Sequence, residues 1–254
     1  MSATNTVDPG EIAKFEAMAA EWWDLNGKFK PLHMMNPVRL DYITRQIAAE
    51  FGRDLSQPEP FKGLRILDIG CGPGMQTIKL AKLSKGEVIG IDIFEQYLEQ
   101  LRELIEKEGL KDRVKVENQS MFDIQYPKEY FDILWAEGSI FIIGFEKGLL
   151  EWKKFIKPKG FLAVHEMTWL KDNPPKDIKE YWIRVYPEIN TIEENIKIIK
   201  KSGYKFLGYF PLPEDAWWDF YYNPLQKRLK KLQIKYKDNY EALAMIAEEQ
   251  LEID

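Results

Sequence analysis

Four places along this 254-residue chain carry residue types whose spacing could do chemistry. The first is Asp68-Ile69-Gly70-Cys71-Gly72-Pro73-Gly74, delivered by the apolar run that starts at Leu64. The second is Asp92, which ends another apolar run, Val88-Ile89-Gly90-Ile91. A buried strand, a glycine turn and a helix start suit a nucleotide-like ligand, because glycine lets the backbone turn tightly and approach a bound group closely. A carboxylate ending the next strand can accept hydrogen bonds from a pair of ribose hydroxyls. The third place is Ala136-Glu137-Gly138-Ser139 and the fourth is His165-Glu166; each follows an apolar run. In open α/β sheets ligands collect at the carboxyl ends of such strands. A dinucleotide fingerprint would need a third glycine two residues after Gly74, where Gln76 stands.

Asp68 to Gly74 resembles the first motif of the class I S-adenosylmethionine-dependent methyltransferases. The resemblance implies an α/β, Rossmann-like class I methyltransferase fold, with S-adenosyl-L-methionine as cofactor and S-adenosyl-L-homocysteine as product. It sets the backbone around Gly70, Cys71, Gly72 and Gly74 against the methionine moiety, with Asp68 supporting the turn. Asp92, with Ile93 beside it, would hold the ribose hydroxyls, and Ala136 joins the cofactor set. The loop Asn118 to Asp123 falls at the adenine, where many members of the family carry an acid in place of Ser120. Adenine is therefore expected at the Met121 backbone and side chain, with Asp123 orienting the loop.

A second resemblance covers residues 7–70. Glu11 to Ala17, Trp22-Trp23-Asp24-Leu25, Phe29 to His33 and Asn36 to Leu40 look like the N-terminal segment of the ubiquinone-biosynthesis O-methyltransferases. In that family the segment helps enclose the cofactor. Trp22, Trp23 and His33 then fall on the substrate side, unless the tryptophans are core and the histidine belongs to a turn. Arg39 falls near the methionine carboxylate, where a guanidinium fork matches two oxygens, unless it is a surface arginine. Residues 71–254 resemble instead a group of poorly assigned bacterial and archaeal small-molecule methyltransferases. The residues that carry this are Trp135 to Ile140, Ile143 to Leu149, Trp152, Tyr186 to Ile189, Pro213 and Trp217. The two meet near Gly70, as in a mosaic chain, whether natural or fused.

The reaction so implied is methyl transfer to a small-molecule acceptor, by in-line attack in a cavity at the carboxyl edge of the sheet. Such a reaction depends mainly on proximity. If the acceptor must lose a proton, His165 is the best-placed base, and Glu166 either orients it or binds substrate. Glu137 would attract the cofactor's ammonium or sulfonium charge, or orient a substrate. The rival readings are a binding or structural protein without activity, and specifically a quinone-precursor O-methyltransferase.

The elements needed to position these residues are legible in the pattern. A helical lid starts at Glu11, a helix runs from Pro37 to Phe51, and residues 52–63 connect them to the core, giving an N-terminal region 1–63. The core, 64–166, reads as strands at 64–69, 88–92, 114–117, 131–135 and 161–164, with helices at 75–83, 94–108 and 144–156. Lys157-Pro158-Lys159-Gly160 reads as the turn into the fifth strand. Residues 167–190, with Trp169, Tyr181 and Tyr186, are too long for an ordinary connection and suggest a substrate cap. The region 191–254 opens with a capping box, Thr191 and Glu194, ahead of a helix at 192–201. A sixth strand is expected at 204–210, and one long or kinked helix from Pro224 to Leu251. The aromatic run holding Trp217 and Trp218 suits a pocket for a planar substrate or a core seam equally. The family's usual seventh strand has no counterpart in the pattern, which leaves an association-prone edge, so monomer and homodimer both stay open.

The totals narrow the partners. A net charge of −5 argues against nucleic acid and against stable association with an acidic membrane. One cysteine rules out a disulfide framework, and two histidines do not make a metal centre, so none is expected. The first residues have no apolar signal core and no run approaches a membrane span, which together read as cytoplasmic. The basic first half of the last helix is expected to be a solvated face.

Overall fold

The computed structural model describes residues 30–213 and 218–253. They divide into two compact units, one of residues 43–166 and the other of residues 30–42, 167–213 and 218–253.

The first unit is built on a parallel sheet. Its strands are β1 (Ile66–Ile69), β2 (Val88–Asp92), β3 (Val114–Asn118), β4 (Phe131–Glu137) and β5 (Ile156–His165), in the order β3-β2-β1-β4-β5. Every residue of β1 is buried and so are the first four of β2, as expected for inner strands of a sheet covered on both faces. The long helix α1 (Lys30–Phe51) gives this unit its last turns, where Ile47 and Ala48 are buried. Crossovers are made by α2 (Met75–Ser84) and α3 (Glu95–Lys107), and β4 leads into α4 (Ile140–Ile143) and α5 (Phe145–Trp152). Trp135, Trp152, Phe61 and Phe131 are the largest fully buried side chains. The helix after Gly144 is shorter than expected. It stops at Trp152 and a tight 3-10 turn, Lys153–Phe155, carries the chain into β5.

The turn expected at Lys157 to Gly160 is instead taken inside β5 as a bulge. Phe131 faces Ile156 and Ile133 faces Phe161, so the four residues between loop out of register. Lys159 has φ of 65°, and a Cβ on Gly160 would come 2.5 Å from the Ile156 side chain and 2.9 Å from the Asp132 carbonyl oxygen. Lys157 Nζ, 2.7 Å from Asp132 Oδ2, ties the bulge down.

The order reverses between β1 and β4. The chain crosses from β1 outward to β2 and β3, then returns to place β4 on the other side of β1. That is the topological switch point of a doubly wound sheet, and a crevice opens there beyond the carboxyl ends of the strands.

The second unit contains β6 (Thr168–Trp169), paired in parallel with β7 (Asn190–Thr191), and the helices α6 (Lys176–Val185), α7 (Ile192–Lys201), α8 (Asn223–Lys235) and α9 (Tyr240–Ile253). The capping box forms as the sequence reads: Thr191 Oγ1 accepts from the Glu194 N–H, and Glu194 accepts from the Thr191 N–H at 2.9 Å. The expected sixth strand does not. Residues 204–210 have no strand partner, and the Tyr209 carbonyl accepts instead from the Tyr42 hydroxyl at 2.9 Å while Phe210 stacks on the Tyr42 ring. A side chain thus takes the place of a ladder bond, and among the described residues the sheet ends at β5 with neither a sixth nor a seventh strand.

The expected terminal helix is two helices. Asn239 breaks it by capping α9: its Oδ1 accepts from the Ala242 N–H at 3.0 Å. Folding α9 back on α8 encloses Leu229, Ile246 and Ile253, with Leu225, Leu232 and Leu243 packed around them. Tyr236 and Tyr240 fall at the break and are exposed.

Candidate functional site

The register of the sheet places the acids. Asp68 of β1 is level with Gly90 of β2 and Trp135 of β4. Two residues further along, the same face carries Asp92 on β2 and Glu137 on β4, because side chains return to one face every second residue. Asn118 is level with Asp92 and His165 is level with Glu137. Polar groups from β3, β2, β4 and β5 therefore form one row along the carboxyl edge. The residue of the β1 chain that would continue this row is Gly70.

The glycine turn is held from both sides. The N–H groups of Gly70 and Cys71 donate to the Ile91 carbonyl at 2.9 and 3.0 Å. Across the switch point the Ser139 hydroxyl donates to the Ile69 carbonyl at 2.7 Å. Gly70 has φ of 71° and a Cβ there would lie 2.7 Å from the Ser139 Cβ, so glycine is required twice over. At Gly72, with φ of 51°, a Cβ would meet nothing within 4 Å, which leaves the backbone open to a ligand. Cys71 is buried, and burial pushes its thiol pKa up; it packs over Gly90, whose added Cβ would stand 3.0 Å from the sulfur.

Asp68 is 2% exposed and accepts from the Thr77 hydroxyl at 2.6 Å. Burial raises its pKa to about 7, with Glu137 and Asp92 adding to the rise and the Thr77 bond opposing it. Asp92 accepts from three backbone N–H groups: Gly72 at 2.9 Å, Ile93 at 2.8 Å and Phe94 at 3.0 Å. Its pKa is raised by burial against those bonds. A carboxylate offers about four acceptor positions, so Asp92 locks the turn and keeps capacity for a ligand hydroxyl. Ile93, next to it, is exposed.

The 118–123 loop closes the β2 side. The Gln119 N–H donates to the Asp92 carbonyl at 3.1 Å, and the buried Trp152 indole N–H donates to the Met121 carbonyl at 3.0 Å. The Met121 methyl lies 3.8 Å from where a Cβ on Gly70 would stand. Ser120 acts locally, its hydroxyl accepting from the Phe122 N–H at 3.3 Å, and Asp123 accepts from the Gln125 amide.

On the β4 side Ala136 is buried, and Glu137 accepts from the Trp135 indole at 3.2 Å. His165 and Glu166 are half-buried at the end of β5. The structure thus brings Asp68, the glycine turn, Asp92, Ile93, Met121, Ala136, Glu137 and His165 to one edge.

Several other expected site residues belong to the second unit. Arg39 is no surface residue: it is buried beside Asn36, to whose Oδ1 it donates at 3.4 Å. Trp169 is half-buried on β6. Tyr181 on α6 meets Trp182 edge-on and lies under the Arg184 guanidinium, while Tyr186 at the end of α6 is buried. Trp218 packs on Tyr222 ahead of α8 and stays 39% exposed. Trp22, Trp23 and Trp217 lie outside the described residues, and so does the side chain of His33, which falls on α1.

Four contributors have roles that a reading of the sequence does not show: Thr77, Ser139, Trp135 and Trp152. Trp135 stands two residues before Glu137 on the same strand, which is a usable signal. Thr77 faces back from the first turn of α2 and Ser139 crosses to another strand. Trp152 reaches a loop 31 positions earlier. None of these three follows from any local spacing.

Known proteins resemble this chain in sequence and in fold. The ubiquinone biosynthesis O-methyltransferase of Cereibacter sphaeroides is 54% identical over 134 residues, which cover 53% of this chain and 53% of that protein. The chain spans about half the length of the curated relatives it matches. Among solved structures, a SAM-dependent methyltransferase from Geobacter sulfurreducens, in complex with S-adenosyl-L-homocysteine, shares the fold with a TM-score of 0.61 at 18% identity. That match covers 84% of this chain and 83% of that one. The cyclase SpnF shares it with a TM-score of 0.58 at 20% identity, over 77% and 69% of the two chains. A family model described as a methyltransferase domain matches residues 60–227. By the extent of that match and the architecture it covers, the chain is a member of the methyltransferase-domain family.

Proposed function

We propose that the chain transfers a methyl group from S-adenosyl-L-methionine to a small-molecule acceptor. The observation that carries this reading is the edge row at the switch point, with an open glycine turn flanked by Asp92 and Glu137. When bound, the cofactor supplies an electrophilic methyl on a positively charged sulfur. The residues fit such a group. Gly72 admits it to the backbone, Asp92 retains an acceptor position for a ribose hydroxyl, and the carboxylates of the row favour its charge.

His165 takes the acceptor's proton, oriented by Glu166, and Glu137 steadies positive charge beside it. The acceptor is a phenolic hydroxyl. Supporting this is the similarity to the ubiquinone biosynthesis O-methyltransferase. The fold by itself leaves the reaction open, since a cyclase shares it.

The test is incubation of the full chain with methyl-labelled S-adenosyl-L-methionine and separate panels of phenols, catechols and amines. Label in a phenol or catechol supports the reading. Label only in amines overturns the acceptor class. Saturable cofactor binding with no transfer to any panel makes the chain a binding protein.

A further inference from the structure

Three carboxylates of the edge lie within electrostatic reach of one another. Asp68 is level with Gly90 and Trp135, and Asp92 and Glu137 stand on the same face two residues beyond those partners. Asp68 has the least access to water of the three, being 2% exposed, and it accepts a hydrogen bond from a neutral hydroxyl, Thr77 Oγ1. It is faced by Thr77 from α2, by Asp92 from β2, by Glu137 from β4 and by the Cys71 thiol of its own turn. All the titratable groups among these are acids, so a positive charge entering the row is the natural partner of an ionised Asp68.

We propose that Asp68 makes the site discriminate by charge between the sulfonium cofactor and its neutral thioether product: binding of the cofactor drives a proton off Asp68, and loss of the methyl lets the proton return and loosens the product. The inference rests on the methyltransferase reading. Geometry places the group, and a carboxyl whose pKa lies at about 7 is half protonated at neutral pH, so it can respond to one added charge. A sulfonium that lowers that pKa by about one unit would strengthen cofactor binding about fivefold between pH 6 and 8, and would release about 0.4 proton at pH 7. The thioether carries no such charge and should show neither effect from this group.

The experiment is calorimetric titration of the full chain with S-adenosyl-L-methionine and, separately, S-adenosyl-L-homocysteine. It is done at pH 6, 7 and 8 in two buffers of different ionisation enthalpy. Asp68→Asn keeps an oxygen to accept from Thr77 but cannot titrate. The ligand's own ammonium titrates alike against both proteins, so the difference between wild type and variant is what is read. The expected result is proton release and a pH-dependent ratio of the two affinities in wild type, both diminished in Asp68→Asn. Should that variant not fold, Thr77→Val removes the bond that holds the pKa down, and should move the midpoint of the effect to higher pH. Binding of both ligands with a ratio independent of pH, or unchanged in the variants, overturns the role of Asp68 and leaves the methyltransferase reading standing. Binding of neither ligand to folded wild-type protein overturns both.

Discussion

On the proposed reading Asp92 does two jobs with one carboxylate, locking the glycine turn and accepting from the ribose, and its substitution separates them from the rest of the site. In Asp92→Ala, three backbone N–H groups lose their acceptor and the ribose partner disappears together. Hydrogen bonds to a charged group contribute roughly 1.5–3 kcal/mol each, so cofactor affinity should fall roughly 100-fold or more by calorimetry. Unchanged affinity would remove Asp92 from the site. His165→Ala should behave differently, slowing transfer by roughly 100-fold while leaving cofactor affinity within about twofold, as expected of a base that touches only the acceptor. Full activity would discard that role. Trp152→Phe keeps a buried aromatic ring, leaves a small cavity and removes the donor to the Met121 carbonyl. The loop then loses about 1 kcal/mol of restraint, so KM for the cofactor should rise severalfold with kcat little changed. Equal losses in kcat and kcat/KM would contradict a positioning role for Trp152.

At the scale of elements, the site depends on how closely α2 and α3 pack over the glycine turn. Gly74 has φ of 93°, and a Cβ there would lie 2.1 Å from Leu101 Cδ1 on α3. Gly74→Ala therefore adds backbone strain and forces two helices apart. It should cost about 2–4 kcal/mol in denaturant unfolding and weaken cofactor binding as well. A variant as stable as wild type would mean that α3 yields without cost. The same logic explains where expectations about elements failed. Residues 204–210 have the composition of a strand, yet a carbonyl of that segment is claimed by the Tyr42 hydroxyl, from a helix 167 positions away. The last helix is periodic through its whole length, but Asn239 offers its side chain to the Ala242 N–H and starts a new helix. In both cases a side-chain hydrogen bond outcompetes the regular continuation that local propensity favours.

Over the whole molecule, the buried acids tie stability to pH. Asp68 has a folded pKa of about 7 against about 3.9 in an unfolded chain, so between roughly pH 4 and 7 the folded state holds a proton that the unfolded state has released. Its contribution is greatest below that window, declines as pH rises through it and is constant above. Asp68→Asn should therefore gain on wild type as pH rises from 4 to 7, by roughly 4 kcal/mol or less, when unfolding free energies are compared across that range. A difference independent of pH would mean that Asp68 is ionised throughout. Among the described residues no helix is long and apolar enough to cross a membrane.

What the sequence determined by itself is the part written in short range. Apolar runs ending at Asp92 and Glu137, glycines at fixed spacing, and a Thr-x-x-Glu cap are each contained within a few residues, and their chemistry follows from local backbone geometry. The parallel sheet, the glycine turn, most of the first-unit helices and the acids that end β2 and β4 were legible for that reason. Tertiary structure decided everything that depends on register between strands or on a bond between distant segments. Register put Asp68, Asp92, Glu137 and His165 on one face, and the reversal between β1 and β4 let Ser139 reach the Ile69 carbonyl. Burial turned Arg39 inward and raised the pKa of Asp68. These are sums over neighbours that only the folded chain brings within a few ångströms, so no spacing along the sequence encodes them.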